Sequence, residues 1–257
     1  MLSPHSLLLT VAPVAKRQEE SMDTSGWEAR HRVLIARLAG IAGVAFVALS
    51  VTPGNLGGPI FDNNISTPQI VDWVKNNGGG ITADGFVGAV GASIVFLMFV
   101  LLVRVTGGRG VLAVIALSST AAFMTIDWVH AGVYYAIADA GQRGQADAGI
   151  VALFSLAKMM TFADGFVIGI AVVAISLLAM LSRTLPWPLV WLGFAMGGYH
   201  LVETPIQLAI NHRANGITGP IDVLISLIWV GAVALVLLIK PIWGVQMPAS
   251  APTAVAS

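Results

Sequence analysis

The sequence predicts an all-α membrane protein in which six transmembrane helices form one bundle. Of the 257 residues, 56% are hydrophobic and only 10% are charged, and the mean hydropathy is +0.84. Soluble domains carry about 25% charged residues, so 13 basic and 13 acidic side chains are too few to cover a soluble chain of this length. The composition therefore excludes an ordinary soluble enzyme, a disordered protein and a basic nucleic-acid-binding protein.

Six apolar stretches each approach the ~20 residues that cross a bilayer as a helix. Because lipid offers no hydrogen-bond partner to an open backbone, each stretch must be helical. The spans are predicted at about 33–51, 84–103, 111–138, 162–181, 189–210 and 221–239. A polar N-terminal tail over residues 1–32 and a disordered tail over 241–257 flank this transmembrane domain, which covers residues 33–240.

The N-terminal tail has two further features. Leu7–Ala15 is a short, mostly apolar run without a basic region before it, and it matches a signal peptide poorly. Met22 is a plausible alternative start of translation.

Basic residues mark one end of the predicted spans. Cytoplasmic loops carry an excess of Lys and Arg, and here these residues precede the first span, occupy the turns after the second and fourth, and follow the sixth. They are Lys16, Arg17, Arg30, Arg32, Arg104, Arg109, Arg183 and Lys240. The opposite side carries Lys75, Arg143, Lys158 and Arg213. We therefore expect a multi-pass cell-membrane protein with both termini in the cytoplasm.

Two segments on the outer side are longer than simple turns. Residues 52–83 precede the second span, and residues 139–161 precede the fourth. Each mixes polar and apolar residues, so we expect each to hold a short helix lying on the outer membrane surface.

A five-residue segment occurs twice. Ala83–Val87 and Ala163–Val167 have the same sequence, 80 residues apart. With a gap, Asp127–His130 in the third span also aligns with His200–Glu203 in the fifth. We interpret helices two–three and four–five as copies of one hairpin. Because both copies enter the membrane in the same direction, we expect a pseudo-two-fold axis along the membrane normal to relate them. The copies cover about residues 70–138 and 150–210.

Ionisable residues within the spans are the candidates for a functional site, because such groups are costly in lipid. Residues three apart share a helix face, which pairs Asp127 with His130 and His200 with Glu203. A rise of ~1.5 Å per residue counted from the turns places both pairs in the outer half of the bilayer, close in depth to Asp84 and Asp164. The candidate ligand or proton site is Asp84, Asp127, His130, Asp164, His200 and Glu203.

Two simpler explanations of these residues stay open. Asp84 and Asp164 stand at predicted helix starts, where a carboxylate caps free N–H groups. The remaining groups can form a structural polar cluster, in which His200 and Glu203 satisfy backbone groups freed by Pro205.

The same six residues are the candidates for a bound metal. Four carboxylates and two histidines on four helices resemble the ligand inventory of di-iron bundles, and such ligands suit Fe, Mn or Zn. Asp replaces Glu at three positions, however, and the order of the pair is reversed in the fifth span. The chain contains no cysteine, which excludes disulfides and thiolate ligands, and we expect the absence of any cofactor as the simpler outcome.

Several short segments resemble a known family. They are Arg30–Arg37 before the first span, Ile65–Trp73 in the outer loop, Leu185–Pro188 before the fifth span and Trp191–Gly193 within it. The chain resembles the uncharacterised six-helix integral membrane proteins, defined by a domain of unknown function, that are common in high-GC Gram-positive bacteria. The resemblance covers about residues 30–240 and implies a six-span membrane fold, but it implies no site residues because the family has no established activity.

The sequence favours a protein that handles a small molecule or lipid through the Asp/His/Glu site. Membrane lipids and an apolar small molecule are the expected partners, and no nucleic acid is expected. A proton-coupled transporter, a membrane enzyme with a His–carboxylate acid/base pair and a structural or partner-binding subunit are the alternatives. No catalytic residue is assigned.

Overall fold

The computed structural model contains six α-helices within the residues it describes, which are 12–51, 66–209 and 215–239, with side chains described at 31–51, 66–206, 209 and 224–239. The helices are α1 (Ala12–Val51), α2 (Thr67–Val105), α3 (Val111–Gln142), α4 (Asp147–Ser182), α5 (Trp187–Ala209) and α6 (Asn215–Ile239). The predicted all-α class is therefore confirmed.

Four of these helices are long and apolar enough to cross a bilayer. They are the His31–Val51 part of α1 and the whole of α2, α3 and α4. In α6, the part with described side chains is a shorter apolar stretch, Leu224–Ile239. The fold is that of a helical membrane protein.

The helices form a closed ring. Each helix packs against its neighbour in the chain, and α1 packs against α6, which closes the circle. An additional contact joins α2 to α4. The two predicted hairpin copies, α2–α3 and α4–α5, meet through α3 and α4, whereas α6 and α1 lie between α5 and α2 and complete the ring.

The main hydrophobic core connects these helices at the end of the bundle opposite to the α3–α4 turn. Phe99 of α2 and Trp229 of α6 are its largest fully buried side chains, and their rings meet edge to face with centroids 6.0 Å apart. The indole nitrogen of Trp229 donates a hydrogen bond to the backbone oxygen of Leu189 at 3.0 Å. The Arg32 guanidinium donates to the backbone oxygen of Val105, where α2 ends. That contact places the beginning of the α1 span and the α2–α3 turn at the same end of the molecule.

Three helix starts differ from the predicted ones. The first helix begins at Ala12, not near residue 33, and the second and fourth begin at Thr67 and Asp147. The outer segments that precede Asp84 and Asp164 were expected as separate surface helices, but residues 67–83 belong to α2, which bends at Asn77, and residues 147–161 belong to α4. The prediction relied on apolar runs, which end where a helix leaves the bilayer even when the helix itself continues. Residues 52–65 lie outside the described residues.

Local sequence explains where α2 begins and bends. The Gln69 side chain accepts a hydrogen bond from the Ser66 backbone N–H at 2.8 Å, and Pro68 occupies the first turn, where its missing N–H costs nothing. The helix kinks at Asn77, whose φ and ψ are −125° and 19°, and whose side chain donates to the Trp73 carbonyl at 2.8 Å.

The surplus length of α2, α3 and α4 forms a three-helix extension at one end of the bundle, comprising residues 67–81, 134–142 and 147–157. It has its own core, separate from the main one, which includes Val74, Ile137, Ile150 and Phe154. Its surface carries two ion pairs, Lys75 with Asp147 at 3.7 Å and Arg143 with Asp139 at 2.8 Å. A charged surface over a small apolar core is typical of a segment in water.

Glycine lets α4 and α5 approach each other closely. A Cβ added at Gly197 would lie 2.8 Å from the Gly169 backbone oxygen and 3.1 Å from the Val173 backbone nitrogen. At the adjacent Gly198, a Cβ would meet nothing within 4 Å. Small residues of this kind let helices pack through their backbones in a membrane.

We therefore expect Gly197→Ala to lower the stability of the protein by about 1–3 kcal/mol, because the backbone of α4 must move away. Gly198→Ala is the matched control and should leave the melting temperature in detergent unchanged or slightly raised, because Ala favours helix over Gly. Equal melting temperatures for the two variants would contradict the close α4–α5 packing.

Candidate functional site

A central cavity lies inside the ring of helices. Its volume is about 400 Å³, and all six helices contribute to its wall. Most of the lining is apolar, and Phe46, Phe99 and Phe123 are among its aromatic side chains. The volume falls within the ~300–1,000 Å³ usual for small-molecule sites.

Five of the six candidate residues line this cavity. They come from four helices: Asp84 from α2, Asp127 and His130 from α3, Asp164 from α4 and His200 from α5. Among the described residues that line it, none is Lys or Arg. The wall therefore combines an apolar surface with three carboxyl groups and two imidazoles.

Glu203 does not line the cavity. It is half-buried on α5, about one turn beyond His200. The i, i+3 spacing predicts that both residues lie on the same side of α5. The α5 part of the cavity wall, however, consists of Met196 and His200 and ends there.

Neither Asp84 nor Asp164 caps a helix. Each lies 17 residues after the first residue of its helix, Thr67 in α2 and Asp147 in α4. The capping explanation is therefore wrong for both. Both side chains are half-buried and face the cavity.

Each copy of the repeated segment places a glycine directly after its aspartate. At Gly85, a Cβ would lie 2.9 Å from Cβ of Tyr134 and 3.2 Å from Cα of Ala131, so α2 meets α3 closely there. At Gly165, a Cβ would lie 3.4 Å from the Thr204 hydroxyl oxygen. Successive residues of a helix are rotated by about 100°. The glycine therefore faces the neighbouring helix while the preceding aspartate faces the cavity.

His130 is a buried polar group of the cavity wall. Its side chain is only 9% exposed, and its ring lies 4.5 Å from the Tyr134 ring, centroid to centroid. Its Nε2 atom is buried and has no hydrogen-bond partner in the described part of the chain. A buried polar atom left without a partner costs about 1–3 kcal/mol.

His200 is held more firmly by its surroundings. It is 3% exposed, and its Nε2 lies 3.4 Å from the Ser226 hydroxyl of α6. The edge of the Tyr199 ring faces it, with centroids 5.9 Å apart. A Cβ at Gly165 would lie 3.6 Å from its Nδ1, which brings α4 next to the ring.

The structure adds polar residues that the candidate set did not contain. Tyr134, Thr161 and Ser226 also line the cavity. Tyr134 follows His130 by one helical turn, and that spacing alone places it on the same face. Ser226 lies in a largely apolar stretch of α6, and no spacing in the sequence connects it to the other residues.

The arrangement of these residues does not favour a metal centre. Within the described chain, no group of three or more His, Cys, Asp or Glu residues is positioned to hold a metal ion. The di-iron analogy therefore has no geometric support at these residues.

The fold and the site define a helical membrane protein with an internal cavity that has an acidic wall. Comparisons with protein-family models, with curated proteins and with solved structures find no match. The site is therefore interpreted from its own residues.

The unpaired nitrogen of His130 leads to a testable expectation. His130→Phe keeps a ring against Tyr134 and removes the unsatisfied atom, so it should raise the melting temperature of the ligand-free protein by a few degrees. His200→Phe is the matched substitution and should lower it, because it removes the contact with Ser226. A similar loss of stability in both variants would show that His130 is an ordinary structural histidine.

Proposed function

We propose that this chain is a six-span membrane protein that binds an apolar or amphipathic small molecule in the central cavity. The observation that carries the proposal is the cavity itself, which has a volume of about 400 Å³ and is lined by all six helices. A largely apolar wall with a few converging polar groups is the usual character of a small-molecule site. In this proposal the carboxyl and imidazole groups orient the bound molecule, and the aromatic side chains contact its apolar part.

Six spans follow from adding α5 and α6 to the four long apolar helices. These two helices contain 23 and 25 residues, which is enough for ~30 Å of hydrocarbon. The basic residues of the N-terminal region, of the α2–α3 and α4–α5 turns and of the C-terminal end of α6 then lie on one side. The positive-inside rule assigns that side to the cytoplasm of a cell-membrane protein. The three-helix extension is then on the outer side, and the site lies in the outer half of the bilayer.

The proposed internal repeat receives support from the helix limits and from one contact. Helices α2 and α4 begin 80 residues apart, at the offset of the repeated segment. Gly85 approaches Ala131, and Gly165 approaches Thr204. Thr204 is the counterpart of Ala131 when His200–Glu203 is aligned on Asp127–His130. The ring departs from a closed two-fold arrangement, because α3 packs on α4 whereas α5 packs on α6. We therefore propose a duplicated hairpin whose two copies diverged in their surroundings.

A proton-coupled transporter is the second candidate, favoured by three carboxyl groups that line one intramembrane cavity. Protonatable groups inside membrane bundles commonly mark ion or proton pathways. Proteoliposomes with a trapped pH-sensitive dye would report proton uptake that begins when 2-phenylethanol is added and disappears in Asp127→Asn. A dye response equal to that of empty liposomes would remove this candidate.

Filling the cavity tests the binding proposal directly. Gly88 lines the cavity, and a Cβ at this position would meet nothing within 4 Å. Gly88→Leu therefore places a side chain in free space without displacing a helix. We expect 2-phenylethanol to raise the melting temperature of the wild-type protein in proportion to its occupancy, and to have little effect on Gly88→Leu.

Gly132→Leu is the matched control for this experiment. Gly132 is exposed on α3 and is not part of the cavity wall, and its Cβ would also meet nothing within 4 Å. This variant should respond to 2-phenylethanol as the wild type does. An equal response of Gly88→Leu and Gly132→Leu would place binding elsewhere and contradict the proposed function.

A further inference from the structure

Among the described residues of the cavity wall, the Asp side chains are the ones that can carry a negative charge, and no Lys or Arg opposes them. Asp84, Asp127 and Asp164 come from three neighbouring helices, and the described lining contains no Lys or Arg. Glu203 is not part of the described lining, so its acidic residues are these three aspartates. A carboxylate inside a membrane bundle is costly unless a proton or a cation compensates its charge.

His130 provides a second and independent indication of a ligand. It lines the same cavity, more than nine-tenths of its side chain is buried, and its Nε2 has no partner among the residues described. Buried polar atoms in proteins are nearly always hydrogen-bonded. In the His130 tautomer protonated at Nδ1, Nε2 is an acceptor, and a molecule in the cavity that carries an N–H or O–H group would supply the missing hydrogen bond.

The apolar part of the wall restricts the kind of cation that fits. Phe46, Phe99 and Phe123 line the cavity together with aliphatic side chains, and these groups offer nothing to a small hydrated ion. The phenol ring of Tyr134 adds a π-face, on which organic cations bind favourably. A ligand with one charged end and an apolar body satisfies both parts of the wall.

We propose that the ligand of the central cavity is a protonated alkyl- or arylamine. Its ammonium group lies at the acidic part of the wall, to which Asp84, Asp127 and Asp164 contribute, an N–H of the ligand donates to His130, and its apolar body contacts the phenylalanine side. This inference rests on the proposed binding function and adds the chemical class of the ligand.

A series of three soluble probes with similar apolar bodies tests the class. Phenethylamine is protonated at neutral pH, 2-phenylethanol is neutral and keeps a hydrogen-bond donor, and 3-phenylpropionate is an anion. For the purified full-length protein we expect phenethylamine to bind about tenfold or more tightly than 2-phenylethanol, as a charge-assisted hydrogen bond requires. The anion should give no measurable shift in melting temperature.

Single carboxyl substitutions identify the origin of this preference. Asp84→Asn and Asp127→Asn should each reduce the affinity for phenethylamine about tenfold while leaving that for 2-phenylethanol nearly unchanged. Asp72→Asn is the control, because Asp72 is an exposed carboxylate of the same helix as Asp84 that lies outside the cavity. It should retain the full preference for the amine.

The outcomes separate this inference from the function on which it rests. If 2-phenylethanol binds as tightly as phenethylamine and Gly88→Leu blocks both, the cavity is a binding site but the amine class is wrong. If sodium or potassium chloride stabilises the protein and abolishes the response to phenethylamine, the ligand is an inorganic cation and the amine class is wrong. If no probe shifts the melting temperature at millimolar concentration, both the binding function and the amine class are contradicted.

Discussion

The close approach of helices at glycine is the constraint on which the rest of the structure depends. In a membrane, lipid and side chains are equally apolar, so helices associate through close packing and not through the hydrophobic effect. Gly85 brings the backbone of α2 to α3, while Gly169 and Gly197 bring α4 to α5. Where a glycine faces the neighbouring helix, the adjacent residue of the same helix points in a different direction. Asp84, which precedes Gly85, faces the cavity. The same positions that hold the ring together thus direct its polar groups inward.

The sequence was sufficient to predict the helical class because apolar runs of ~20 residues leave the backbone no alternative in lipid. It was insufficient for the limits of α1, α2 and α4, because hydropathy detects the bilayer and not the end of a helix. The segment before Asp84 is polar on one side, but Val74 and Ile137 bury its other side against α3. Only that tertiary contact shows that residues 67–83 are part of α2 in the helix bundle. Asp84 therefore lies inside the helix and does not cap its start.

For the site, helical periodicity predicted which residues share a face within one helix. It correctly joined Asp127 to His130, and the structure adds Asp84, Asp164 and His200 to the same cavity. Helical periodicity does not indicate how far a cavity extends along a helix. For this reason the candidate site predicted from the sequence included Glu203. It also carries no information on which distant helix faces a residue, so the Ser226 partner of His200 was missed.

A structural polar cluster and a ligand site differ in how their members are satisfied. A cluster that only stabilises helix packing gains its energy from hydrogen bonds between its members, and a member without a partner reduces that energy. In the described part of the chain, His130 Nε2 lacks such a partner, and this nitrogen belongs to a side chain on the wall of a cavity large enough for a small molecule. An isolated unsatisfied atom in a filled core would be a defect of packing. Here it adjoins an unfilled cavity whose wall also carries carboxyl groups from α2, α3 and α4, which favours completion of the site by a bound molecule.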